Sequence, residues 1–418
     1  RYERTARSRR NRLGGGDGDF GGDGITVTKM ERRLSMKHGW EYKKLGDFIT
    51  EYSVKNKGNE TIPVYSVTNS QGFCKEYFSK EVASQDKSTY KIVPYGCFAY
   101  NPSRINVGSI DWQDKEERVI VSPLYNVFSV SEKLNQDYLL YFIKSKGTME
   151  LINAQATGTV RLNLKLSMLK EFQIPIPSLH QQQSIVSELD KINELIRLKK
   201  EQLGDYEKLA QSLFYEMFGD PVENEKGWEE RTMQDLCVNI VDCPHSTPKK
   251  VDYITDYPCI RTSELRGGSI SWATMQYLDE DEYNIRIARL KPEAGDIVFG
   301  REGTIGDAVI LPLGYNFSLG QRTMLLRADT SIVSNIFLHR IILSDWIKHQ
   351  IEYVNVSSTV AHVNIRDFKK FTVPLPPLQL QQVFASRITQ IEALKAEVQR
   401  TIKDLETLLA SRMQYWFD

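Results

Sequence analysis

The residues best suited to chemistry in this 418-residue chain occur as small, separated groups. Cys243 and His245, in "CPH", have metal-ligating side chains two residues apart. A closed zinc site needs four such ligands. The six histidines and five cysteines are scattered with no CxxC spacing, so no companion cluster completes a site. "GREGTIG" (300–306) has glycines three apart but does not open a convincing helix, so a hairpin turn with positive φ is the simpler reading. No GxxxxGK[ST] loop is present to cradle a triphosphate, and no GxSxG elbow to expose a serine nucleophile. "YNPSR" (100–104) lacks the second proline and stacking aromatic with which a methyl-transferring enzyme holds a flipped adenine. Catalysis within this chain is therefore disfavoured, and so is metal or cofactor binding.

Binding chemistry is better represented. "ATGTVRLNLKLSMLK" (156–170) carries Arg161, Lys165 and Lys170 with no acid, and "SSTVAHVNIRDFKK" (357–370) carries His362, Arg366, Lys369 and Lys370 against Asp367 alone. Thr157, Thr159, Asn163, Ser357, Ser358, Thr359 and Asn364 accompany them. Such side chains donate to phosphate oxygens and can read base edges. The bland alternative is a solvated turn whose Ser, Thr and Asn residues cap a helix. Recurrence of the pattern favours DNA contact by Arg161, Lys165, Thr159, Asn163, Thr359, His362, Asn364 and Arg366. Arg104, Arg301 and Arg322, near the ends of expected strands, are weaker candidates, since an exposed arginine often serves only solubility.

The bulk properties bound what can position these groups. Hydrophobic residues make up 41% and charged residues 26%, as in a globular protein with room for two or three domains. No apolar run reaches membrane-spanning length. An odd number of cysteines without paired spacing fits a reducing cytoplasm. Formal net charge is zero, so any nucleic-acid contact must rest on local patches. Residues 1–36 stand apart: "RYERTARSRRNR" is half arginine and "LGGGDGDFGGDG" is glycine and aspartate. They are read as a disordered or appended leader, with a basic arm gripping phosphates as the alternative.

The remainder is a duplication. "WEYKKLGDF" (40–48) aligns with "WEERTMQDL" (228–236), "YGCFAYN" (95–101) with "AGDIVFG" (294–300), and "FQIPIPSL" (172–179) with "FTVPLPPL" (371–378). The last two alignments share an offset of 199 residues. Each copy begins with a head of short strands and brief helices. "ERVIVSPLYNVFSV" and "GDIVFGREGTIGDAVIL" read as strands and hairpins, "NQDYLLYFIKS" and "SNIFLHRIILSDWI" as amphipathic helices. The helices are too few for a doubly wound parallel sheet, so the class is α+β.

Each head then passes through a proline-stiffened junction, "IPIPSLHQQQ" (174–183) or "VPLPPLQLQQ" (373–382), into a helix of about 40 residues, or about 60 Å. Ile185, Leu189, Ile192, Ile196 and Leu203 fall on heptad positions, as do Phe384, Ile388, Ile391, Ile402 and Leu405. One narrow apolar stripe cannot be hidden by a lone helix, so the two are expected to pair as an antiparallel coiled coil. Gly204 marks an expected bend or close contact. The first helix holds five Lys/Arg against seven Asp/Glu, which suits protein contact better than DNA. The expected boundaries are 37–176 and 221–375 for the heads, 177–220 and 376–418 for the helices.

Head–helix–head–helix order, with "FQIPIPSLHQQQSIVSELDKI" and "FTVPLPPLQLQQVFASRITQI" at the junctions, resembles the specificity subunits of type I restriction–modification systems. The resemblance implies that each head is a target recognition domain reading one half of a bipartite site in double-stranded DNA. It implies helices that set the spacing and dock modification (methyltransferase) subunits, with restriction (translocase and endonuclease) subunits completing the assembly. S-adenosylmethionine, ATP and Mg would then sit on those partners and not on this chain. The competing classes are a self-sufficient DNA methyltransferase or nuclease, and a coiled-coil adaptor with no DNA role.

Overall fold

The structure, a computed structural model, describes residues 39–75, 86–155, 163–355 and 362–418. They form two compact units: the chain through Arg197 together with Lys403–Asp418, and Leu198–Ile402. Two helices of 40 residues, Leu179–Phe218 and Leu378–Phe417, each contribute one part to either unit. Among the described residues no helix is long and apolar enough to cross a membrane.

In the first unit the strands that matter are β1 (Glu41–Lys44), β2 (Ile49–Glu51), β3 (Phe98–Tyr100), β4 (Ile110–Trp112), β5 (Asn126–Val130) and β6 (Gln173–Ile176). An antiparallel sheet runs in the order β2-β5-β3-β4, and β1 pairs separately with β6. Helices α1 (Gln136–Lys144) and α2 (Lys146–Gln155) follow. Asn135 caps α1 by accepting from the Tyr138 amide, and burial of Tyr138, Leu139, Phe142 and Ile143 fastens its apolar face to the core. Phe98 and Phe128 stack 5.1 Å apart at the centre of that core.

The second unit repeats the plan with β7 (Glu229–Thr232), β8 (Cys237–Asp242), β9 (Ile297–Gly300), β10 (Ala308–Ile310), β11 (Thr323–Ala328) and β12 (Thr372–Leu375). The central order is β8-β11-β9-β10, again antiparallel, and β7 pairs with β12. "GREGTIG" is the β9–β10 hairpin, with Gly303 and Gly306 at φ +77° and +89°. The expected helix through residue 347 is divided into α3 (Asn335–Ile342) and α4 (Asp345–Asn355). This head also carries a four-stranded sheet of Lys250–Val251, Gln276–Leu278, Pro258–Ile260 and Ser318–Leu319, and a short helix, Glu280–Arg286.

The proline junctions form equivalent joints. Pro175 and Pro374 lie inside the exit strands β6 and β12, and each long helix begins four residues beyond. Gln182 and Gln381, one helical turn in, are completely buried. Gln182 accepts from the Asn135 amide at 2.8 Å and donates to the carbonyls of Pro177 at 3.0 Å and Lys133 at 3.2 Å. Gln381 accepts from the Ser334 amide at 2.8 Å and donates to Pro376 at 2.8 Å and Ile332 at 3.5 Å. Every partner is displaced by the same 199 residues. The glutamine run thus contains the side chain that ties each helix to its own head.

In each unit the start of one long helix lies beside the end of the other. Arg412 reaches Glu188 (Nη2–Oε2 3.0 Å) and Trp416 donates to the same carboxylate at 3.3 Å in the first unit. In the second unit Lys395 binds Glu207 at 2.8 Å, while Phe214 and Phe218 pack on Phe384 at 5.8 and 5.1 Å. The pairing is antiparallel, because later residues of one helix meet earlier residues of the other. Ile185, Leu189, Ile192, Ile196, Phe384, Ile388, Ile391 and Ile402 are buried, whereas Leu203 and Leu405 are half-buried. A Cβ at Gly204 would meet nothing within 4 Å, so the expected close contact is absent there, and the helix continues through it. Solvent exposure on one turn of a long helix is sufficient reason for a small residue to be tolerated.

Candidate nucleic-acid interface

The site begins at one end of the central sheet in each unit. In the second unit β8 ends at Asp242 opposite Met324, and β9 ends at Gly300 opposite Thr323, so the segments leaving these strands emerge together. Arg301 donates its amide to Arg322 O at 2.9 Å, and the Val363 amide donates to Arg301 O at 3.0 Å. A bridge between Glu302 and His362 fastens the polar segment before the proline junction to this edge. Arg301, Arg322, His362, Asn364 and Arg366 are thereby brought together.

Their roles differ. The Arg301 guanidinium is only 11% exposed and pairs with Asp242, so its charge is balanced inside the protein instead of being offered to solvent. Arg322, at φ +66°, is exposed and salt-bridged to Glu302 at 3.1 Å. Asn364 caps the turn Ile365–Phe368, accepting from the Asp367 amide at 2.9 Å, so the capping alternative describes its contacts. His362 and Arg366 are exposed.

The first unit builds the same edge without the buried arginine. Pro102 stands where Arg301 stands in the second copy, and its carbonyl accepts from the Leu164 amide at 3.1 Å. The Tyr100 hydroxyl donates to Leu164 O at 3.1 Å and accepts from Asn126 at 2.9 Å. Burial raises the Tyr100 pKa, keeping it a neutral donor. Leu164 is wholly buried between exposed Asn163 and Lys165, and a tight turn at 101–104 presents Arg104 to solvent. Arg104, Lys165 and Arg366 have no carboxylate partner among the described residues. Thr159, Arg161 and Thr359 lie outside the described residues.

Burial suppresses thiol chemistry here. Burial pushes the Cys237 thiol up to about 12 and the Cys259 thiol up to about 11. Cys243 is buried while His245 is 70% exposed, facing the Asp242 carboxylate at 3.2 Å. Two features escaped sequence reasoning. The glutamine joints carry a readable signal, namely identical spacing after both prolines. The side chains holding the 242–246 loop, Arg286, Arg289 and Gln321, carry none, since they lie 40 to 80 residues away in sequence and nothing in their local pattern is unusual.

Two heads of one topology, each joined to a long helix and each displaying a polar edge over the same sheet end, define a duplicated recognition protein. The model of the type I restriction modification DNA specificity domain matches residues 37–205 and 225–407, and the chain belongs to that family. The specificity subunit of the type I restriction enzyme MjaVIII from Methanocaldococcus jannaschii is 22% identical over 392 residues, 89% of this chain and 90% of that protein. The MjaIX specificity subunit from the same organism is 25% identical over 273 residues, 60% of this chain and 61% of that protein. The chain thus spans about three fifths of the MjaIX subunit in that match. The S subunit of a type I restriction–modification system from M. genitalium shares the fold at a TM-score of 0.53 and 14% identity, with 91% of this chain and 96% of that one covered. A chain from a structure concerning complex assembly and conformational transition of the type I R-M system gives 0.56 and 17%, with 90% and 97% covered.

Proposed function

We propose that this chain is the non-catalytic DNA-recognition subunit of a type I restriction–modification complex, each head reading one half of a split site. The observation that carries the reading is the repetition, within each unit, of a polar segment stitched to the same sheet edge just before the glutamine joint. Exposed cations there suit phosphates, and flanking amides and hydroxyls suit base edges. Lys165, Asn163 and Arg104 serve the first head in this scheme, and His362, Asn364, Arg366 and Arg322 the second. Arg161, Thr159 and Thr359 are proposed alongside them. Arg301 acts by holding its edge together.

The paired helices set the interval between half-sites, about one DNA turn or ~34–36 Å, and dock modification subunits. S-adenosylmethionine, ATP and Mg belong to the partners, and the assembly works in the cytoplasm. Neutral overall charge is compatible with this scheme because exposed cations at the edges act locally.

The test uses the chain assembled with its modification subunits. Arg161→Ala, Lys165→Ala or Arg366→Ala should weaken DNA binding and reduce the slope of log K against log salt by about 0.9 per lost phosphate contact. An unchanged slope removes the residue from the contact set. Exchanging residues 40–175 for the head of a relative should change one half of the methylated sequence and leave the other. A complex that methylates DNA without sequence preference would refute the assignment.

A further inference from the structure

The loop leaving β8 in the second unit has an unusual backbone environment. Five successive carbonyls, from Asp242 to Ser246, accept hydrogen bonds from side chains of distant residues. Arg289 donates to Asp242 O at 3.3 Å and Cys243 O at 3.4 Å, Arg286 to Pro244 O at 3.4 Å, and Gln321 to His245 O at 2.7 Å. Arg286 also donates to the carbonyl of Ser246 and, at 3.4 Å, to its hydroxyl. The Arg286 side chain is fully buried, its charge met by Glu282 at 3.0 Å, with a further bond to Leu319 O at 3.2 Å.

A surface loop ordinarily leaves its carbonyls to water. Here the carbonyls are held by the protein while His245, Ser246 and Thr247 remain exposed, followed by buried Pro248 and exposed Lys249 and Lys250. The trace is fixed and the side chains are displayed. His245 is further oriented by Asp242 at 3.2 Å, the same carboxylate that binds Arg301. We propose that residues 245–250 are the sequence-reading loop of the second head. In this assignment His245, Ser246 and Thr247 address base edges, Lys249 and Lys250 hold phosphates, and Arg286 is the positioning residue.

The chemistry fits that task. Imidazole and hydroxyl groups donate and accept, which matches the mixed pattern of the major groove. A loop already held in one conformation lowers the ordering cost of recognition. The loop also starts at the sheet end where Arg322 and Arg366 lie. The corresponding stretch of the first head, after Glu51, is held by backbone bonds such as Ile92 N to Val54 O at 2.8 Å, and by Asn56. The two heads therefore offer different loops on one scaffold, which would let them read unlike half-sites.

The inference rests on the DNA-recognition reading and is tested on the chain assembled with its modification subunits. The probes are duplexes carrying the parent's methylation site or single-base changes in either half. His245→Ala, Ser246→Ala and Thr247→Ala should each reduce discrimination by about 10-fold at one half-site, the same one for all three, and leave the other unchanged. Lys249→Ala with Lys250→Ala should lower the salt slope by about 1.8 and weaken cognate and altered duplexes alike. Arg286→Ala would strand Glu282 and could unfold the head, so Gln321→Ala tests positioning: discrimination falls at that half-site with the melting temperature unchanged, and Gln321→Asn restores part of it. Parent-like discrimination in all three tip variants, or equal loss at both half-sites, overturns the loop assignment. A parent complex that discriminates at neither half-site overturns the functional reading beneath it.

Discussion

Replacing Gln381 with leucine isolates what the glutamine joint does. The substitution keeps side-chain bulk but removes one acceptor and two donor contacts in a site with no solvent access. The Ser334 amide and the Pro376 carbonyl, both bonded at 2.8 Å, lose their partner. The 3.5 Å bond to Ile332 is weak enough to neglect. An unsatisfied buried group costs about 1–3 kcal/mol, so the pair sums to about 2–6 kcal/mol, offset by no more than about 1 kcal/mol from the added apolar surface. Hydrogen exchange during urea unfolding is the suitable assay, because two units need not melt as one transition. Gln381→Leu should lower protection of the Ser334 amide and of core amides in the second unit, with first-unit amides unaffected. Gln182→Leu should do the converse, exposing the Asn135 amide. Gln381→Glu should be at least as damaging, since a carboxylate still accepts from Ser334 but faces the Pro376 carbonyl with no proton to give. Changes below about 0.5 kcal/mol in both leucine variants, or equal effects on the two units, would refute the argument.

Two further outcomes follow from the interior. Burial pushes the His339 imidazole down to about 4, only partly opposed by its 2.9 Å contact with Ala308 O, with Arg340 lowering and Glu207 raising it further. The folded value lies below the unfolded one, so the unfolded chain takes up the proton first. Second-unit stability is then intact above about pH 6.5 and falls by up to about 3 kcal/mol as pH drops towards 4, a dependence that His339→Gln should flatten in denaturant titrations. In the first unit Gly72 has φ +60°, and a Cβ there would come within 1.8 Å of Asp111 Oδ2, which accepts from the Phe73 amide. Gly72→Ala should destabilise that unit by about 1–3 kcal/mol, read from its unfolding midpoint, while the second unit keeps its own.

The parts legible in the sequence were those fixed by local spacing. Proline at matching positions announced the junctions, and seven-residue periodicity announced helices that both run 40 residues. The same periodicity missed Phe214 and Phe218, because these pack against the head as well as the partner helix, meeting Phe337 at 6.0 and 4.9 Å, and a helix pair alone does not set their spacing. Candidate contact residues were found as segments, since polarity without acids is visible in one dimension. Their individual parts were not. Arg301 and Arg366 look alike in sequence, but only Arg301 lies beside Asp242, which arrives from a strand 59 residues earlier. The arginines under the 242–246 carbonyls were invisible for the same reason. Their partners are backbone atoms, which leave no mark on residue identity.

The Gly147 amide binds the Asp418 carboxylate at 3.0 Å across 271 residues, Phe417 packs 5.3 Å from Tyr138, and Trp416 stacks on Trp40 at 5.9 Å. The first unit is thus closed by a segment made after the whole of the second, whereas the second is continuous in the chain. Synthesis order and folding order are consequently inverted. The earlier-made head must wait, with Tyr138 and Phe142 uncovered, until the final turns of the second helix arrive, and during that interval it is the natural client for a chaperone.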